Sequence, residues 1–226
     1  MFGGKGEMEM KKSFGQTLKQ DFNTTALVMI PLCVGINIVG EFICQSLKLP
    51  LWLNVEGTII AAVLAGPWVG ASTGILTNVV LSFTIEGPTA LPFALISCVW
   101  GLVAGFLANL GFWRVWWKAV IAGGIGELIQ VPVSAPIIVY MFGGITAGAS
   151  SAFTAFMMAT GHNIWTSVIS TGLLVDGADK VLSSLIAFFI IQALPKRMLY
   201  RFSRAAHNVL GDKKEEEYPP VVPEKA

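Results

Sequence analysis

The chain has little charge. Of its 226 residues only 13% are Asp, Glu, Lys or Arg, about half the share usual in a soluble domain. Fifteen basic and fourteen acidic residues leave a net charge of +1, so the balance offers no strongly basic face for nucleic acid. Histidine is scarce too, with only His162 and His207. There is no HExxH and no His/Cys cluster with metal-ligand spacing, so neither a metal nor another cofactor is expected. No GxxxxGK[ST] loop is present, which excludes nucleotide hydrolysis of that kind by this chain alone. The three cysteines, Cys33, Cys44 and Cys98, lie in apolar runs without a CxxC pair and read as small core residues. No series of intramembrane arginines marks a voltage sensor. A Ser–His nucleophile would have to combine His162 with Ser150 or Ser151, a poor basis for a hydrolase.

Apolar residues make up 54% of the chain. That composition reads as a polytopic membrane protein, long enough for about six short spans of the ~20 residues a bilayer needs. Charge gathers at the ends. Lys5, Lys11, Lys12 and Lys19 precede the first apolar run. Lys196, Arg197, Arg201, Arg204 and a KKEEE cluster follow the last. Residues 1–23 and 198–226 are therefore expected to be solvated, mobile tails around a membrane domain, 24–197. The first long apolar run begins only after Asp21 and lacks a cleavage-like end, so it reads as a permanent span.

The expected spans are Thr24–Leu47, Glu56–Ala65, Val69–Thr84, Leu91–Leu110, Ala119–Met141 and Leu173–Leu194. Pro31 and Gly35 stand four apart in the first, a spacing that lets another helix approach closely in lipid. That neighbour is either within this chain or on another subunit. Trp52, in the connection 48–56, is either an interfacial anchor or a lid over a ligand. Gly66-Pro67 marks a tight turn between the second and third spans. Asn78 is polar at membrane depth, as an interhelical donor or a ligand contact. The segment GFWRVWWK reads as an interfacial aromatic belt. Glu127 and Gln130 sit in the middle of the fifth span, where an ionisable residue is a functional candidate or a buried structural partner. Residues 143–171 are too short for two spans and read as re-entrant or interfacial helices before the last one.

Six spans place both tails on one side. The tails and the connection holding Arg114 and Lys118 are basic, so the positive-inside rule puts them in the cytoplasm. The outward side then collects Glu41, Trp52, Asn54, Glu56, Glu86, His162, Asn163, Trp165, Asp176, Asp179 and Lys180. This concentration of polar and aromatic residues suggests an outward-facing pocket for a small ligand.

In this order and spacing the chain resembles the substrate-binding S components of energy-coupling factor (ECF) transporters. The resemblance rests on Gly66-Pro67 with Gly70, Gly74 and Asn78; on Gly101 and Gly105; on Gly143-Gly144; and on Asp179-Lys180 with Leu194-Pro195-Lys196-Arg197. It covers about residues 24–197. Where many members carry Ala-x-x-x-Ala in the first helix for docking, this chain has Pro31-x-x-x-Gly35. The resemblance implies a six-helix protein of a prokaryotic plasma membrane that captures a vitamin or related heterocycle from outside. It also implies partners: a transmembrane coupling subunit and two cytoplasmic ATPases. Family members are thought to topple in the membrane to deliver the ligand. The implied ligand contacts are Trp52, Asn54, Gln130, Asn163, Trp165 and Asp176. A vitamin B6-like or pterin-like ring, a queuosine precursor or another nucleobase-like nutrient would suit such residues. Asp176 also has a structural reading as the cap of the last span, with Asp179 in its first turn and Lys180 paired to Asp176 four residues earlier. Two other functions compete: a proton-coupled carrier using Glu127, and an intramembrane enzyme using His162 or Glu127.

Overall fold

The computed structural model describes residues 21–146, 148, 150–202 and 204–211. The Lys5–Lys19 segment and the KKEEE cluster lie outside them. The described chain is all-helical. Its α-helices are α1 (Thr24–Ser46), α2 (Glu56–Ala65), α3 (Pro67–Thr84), α4 (Phe93–Asn109), α5 (Trp116–Phe142), α6 (Ser151–Ala159), α7 (Ile164–Thr171), α8 (Gly177–Ala193) and α9 (Lys196–Leu199). A 3₁₀ turn, Gly87–Ala90, leads into α4. Three stretches are long and apolar enough to cross a bilayer: 24–46, 87–109 and 116–142. The protein is thus a membrane protein. Its outer face presents Val28, Phe83, Leu110 and Tyr140, as a lipid-facing surface should.

α2 is the axis of the bundle. All ten of its residues are buried, although it is only about 15 Å long at the usual helical rise. No side chain of its own caps it. Asn37 of α1 does so instead, accepting from the Gly57 N–H at 2.7 Å. The same amide donates to Thr58 and Thr77 at 2.9 Å each, tying α1, α2 and α3 together.

Gly66 takes φ +118°, a conformation that favours glycine, and Pro67 opens α3 at the position where a missing N–H costs nothing. α3 then packs against α4 backbone to backbone. A Cβ on Gly70 would meet the Gly101 carbonyl, and one on Gly101 would meet Gly70. Gly74 meets Ser97 and Gly105 meets Pro67 in the same way. Asn78 adds a 2.8 Å hydrogen bond to the Ser97 hydroxyl across this seam.

Two expectations are revised. Residues 198–211 do not begin a solvated tail. Leu199, Phe202, Ala205 and Val209 join the apolar core, and Asn208 donates to the Val63 carbonyl at the end of α2. Within the tryptophan belt, Trp116 and Trp117 face outward but Trp113 is fully buried. The cause is a left-handed turn at Gly111 (φ +76°), which folds the short 3₁₀ turn 112–114 back beneath the bundle.

Candidate functional site

The two ends of the bundle differ in chemistry. At one end Arg204 bonds the buried Asp21 at 2.7 Å and Asn109 at 3.3 Å, and Arg114 donates to the His207 carbonyl. Burial pushes the Asp21 carboxyl above its ordinary value, and the Arg204 charge opposes the shift. Lys118, Lys196, Arg197 and Arg201 belong to the same end by their places in the helices.

The opposite end holds a cavity of about 680 Å³, within the range of pockets that enclose small organic ligands. Its wall is built by the last turns of α1, the connection 48–55, the start of α4, the second half of α5, and the segment from Gly144 to Lys180. Exposed Lys48, Leu49 and Thr89 mark its mouth. Its depths hold buried Gln130, Ser134, Thr154, Thr171 and Lys180.

Of the six expected ligand contacts, Trp52, Asn54, Gln130 and Asp176 lie on this wall. Asn163 and Trp165 do not. Asn163 caps α7, accepting from the Thr166 N–H at 2.8 Å. Trp165 packs edge-on against Tyr140, with ring centroids 5.6 Å apart. Pro31 is exposed on α1, and a Cβ on Gly35 would meet nothing, so this chain leaves that face of α1 uncovered.

Asp179 organises the wall. It is fully buried, and one carboxylate oxygen accepts from the backbone N–H groups of Trp52 and Leu53 at 2.9 and 3.1 Å. Leu53 has φ +44°, a costly conformation for a residue with a side chain. Two charge-assisted bonds from one carboxylate hold it there. Trp52 then lays its ring against Gly148 and reaches Asp176 with its indole N–H at 3.4 Å.

The cap-and-pair reading of the last helix fails. Asp176 makes no side-chain cap bond, because α8 has no free beginning. α7 runs on through a π-helical stretch, Gly172–Asp176, directly into α8. The first N–H groups of α8 are therefore already satisfied by the preceding turn. Lys180 bonds the adjacent Asp179 at 2.8 Å rather than Asp176. Residues 143–171, expected to hold re-entrant or interfacial helices, contain two short ones: α6 is separate, while α7 extends the last helix. π-helical turns of this kind recur at functional sites.

Glu127 lies behind the π stretch. A Cβ on Gly172 or Gly177 would sit 3.7 Å from its side chain. It is buried, and neither of its oxygens has a hydrogen-bond partner. It is not on the cavity wall. His162 is exposed, and the Ser151 hydroxyl bonds Thr146. Among the described residues no group of three His, Cys, Asp or Glu side chains could hold a metal ion.

Among the wall residues not singled out from the sequence as contacts are Glu41 and Gln45. Glu41 is almost wholly buried at the end of α1. Gln45, one turn later, donates to Glu41 at 3.1 Å and to Glu86 at 3.0 Å. The i, i+4 spacing of Glu41 and Gln45 was a readable signal; the approach of Glu86, 41 residues away, was not. No family model matches the chain, and neither do any curated proteins or solved structures.

Proposed function

We propose that the chain is the substrate-specific S component of an ECF importer in a prokaryotic plasma membrane. In this reading six helical segments cross the bilayer and both termini are cytoplasmic. The cavity opens outward and captures a vitamin or related small heterocycle. The chain is not itself an enzyme. It hands its ligand to a transmembrane coupling subunit energised by two ATPases, and the uncovered Pro31/Gly35 face of α1 is where that subunit docks. The single observation that supports this best is the cavity itself. It lies at the end of the bundle opposite the basic one, and a planar ring could lie against Trp52 within reach of the amides of Asn54 and Gln130.

Co-expression with the coupling subunit and two ATPases of the same organism tests the reading. The chain is expected to co-purify with all three in stable proportion. Failure to associate with every such module in that organism would overturn it.

One observation favours a second reading. The orphaned, buried Glu127 is the kind of group a proton-coupled carrier needs. Uptake by the chain alone, driven by a proton gradient and lost in Glu127→Gln, would replace the importer with the carrier.

A further inference from the structure

The charge on the cavity wall is lopsided. Glu41 and Glu86 are drawn to one neutral donor, the Gln45 amide, at 3.1 and 3.0 Å. Asn54 offers Glu41 a second neutral donor at 3.4 Å. No Lys or Arg lies within 4.0 Å of either carboxylate, since the ion pairs among the described residues are Lys180–Asp179 and Arg204–Asp21. Asp176 adds a third carboxylate to the wall. Two cations share that wall. Lys180 is committed to Asp179, and Lys48 stands exposed at the mouth. Gln130, from the middle of α5, lies on the same wall. It is 94% buried (6% exposed) and makes no hydrogen bond among the described residues. Its amide opens onto the cavity and is not sealed in the core, so it is free to bond a ligand atom there.

We propose that the ligand is an organic cation, whose positive nitrogen seats between Glu41 and Glu86 while an uncharged heteroatom of the same molecule bonds Gln130. Two carboxylates drawn to one amide repel each other, with the almost wholly buried Glu41 least screened by water. A cation between them removes that repulsion and gains charge-assisted hydrogen bonds. An anion would have to displace Asp179 from Lys180, and with it the anchor of the 48–55 connection, or stay at the mouth beside the exposed Lys48. A neutral ring would leave the acidic pole uncompensated. The site therefore selects by penalising the wrong charge as well as by attracting the right one.

This inference rests on the cavity being a ligand site, as the importer reading holds, but not on which subunits energise transport. Three probes with the same ring separate the charge states: 3-(aminomethyl)pyridine (an ammonium cation with N–H donors, its ring nitrogen free for Gln130), nicotinamide (neutral) and nicotinate (anion). Binding to the purified full-length protein in detergent at low salt would be measured calorimetrically up to millimolar concentrations. The expected order is cation, then neutral, then anion, with at least about a ten-fold gap between the first two, equivalent to about 1.4 kcal/mol. Glu86→Gln keeps the shape at a half-exposed position and should shrink that gap to about two-fold. Glu41→Gln should do the same; if it fails to fold, Glu86→Gln decides alone. Lys48→Ala should leave the preference in place. Equal or tighter binding of nicotinamide or nicotinate would overturn the inference. So would a preference that survives Glu86→Gln, or no binding of the cation at all. Co-purification with the coupling subunit does not depend on ligand charge, so the importer reading can stand when this inference falls, and the reverse.

Discussion

Asn37 shows how much one residue can settle. Its side chain ties α1 to two other helices, α2 and α3, making one acceptor and two donor contacts, all buried. Replacing it with Leu keeps the bulk but strips the Gly57 N–H of its acceptor and both threonines of a donor. An orphaned buried group costs about 1–3 kcal/mol, so Asn37→Leu should lower the thermal midpoint by several degrees in detergent. Asp179 should behave differently. Asp179→Ala frees the backbone N–H groups of Trp52 and Leu53 and leaves Lys180 without its partner. The expected result is rapid proteolytic cleavage in residues 48–55 and loss of ligand binding. Cleavage as slow as in the wild type would contradict the anchoring role. The sequence made both residues visible as polar groups in apolar surroundings. Their roles were not legible there. Asn37 and Thr77 are 40 positions apart and Asp179 and Trp52 are 127 apart, and no local pattern connects such pairs.

At the scale of elements, the glycine seam between α3 and α4 was readable. Gly70, Gly74, Gly101 and Gly105 recur at intervals of four, and that spacing alone predicts close helix contact. Gly101→Val tests it directly. A side chain there would strike the backbone of Gly70 and Ala71, so the helices must separate and the Asn78–Ser97 bond must break. Overpacking of this kind costs about 1–3 kcal/mol or more, measured as a fall in midpoint or in folded yield. Gly35→Val places its Cβ in open space and should leave stability unchanged. The π-helical stretch was not readable in this way. Asp176, Asp179 and Lys180 look like the start of a helix, because an acid and a base four apart are a sound starting signal. Only the tertiary fold shows that α7 already supplies the preceding turn. The Gly172–Asp176 stretch then offsets the residues on either side of it, and Lys180 meets Asp179 instead.

Across the whole molecule the basic end is a clamp and the opposite end holds the cavity. Arg204 holds Asp21, 183 positions away, and so closes the described chain upon itself. Arg204→Ala would leave the Asp21 carboxyl buried and unpaired, a loss of about 3–5 kcal/mol, whereas Asp21→Asn should cost less. The sign with pH follows from the raised Asp21 value. An acid whose folded-state value is raised favours the fold when protonated, so stability is lost as pH rises through that value. Melting curves of Arg204→Ala should therefore show a defect that shrinks at acidic pH and grows towards neutrality. A defect independent of pH would point to lost packing instead. The end-to-end asymmetry was foreseen from the basic residues. The cavity's exact wall was not, because Glu86 and Gln130 reach it from separate helical segments.

The most direct test of a ligand-capturing cavity is native mass spectrometry of the full-length protein, purified from its own membrane without added ligand. We predict a bound organic molecule that carries a positive charge in solution, released on unfolding and absent from Gln130→Leu protein that melts as the wild type does. Wild-type protein that emerges with no bound molecule, and gains none when dialysed against the organism's growth medium, would contradict the account.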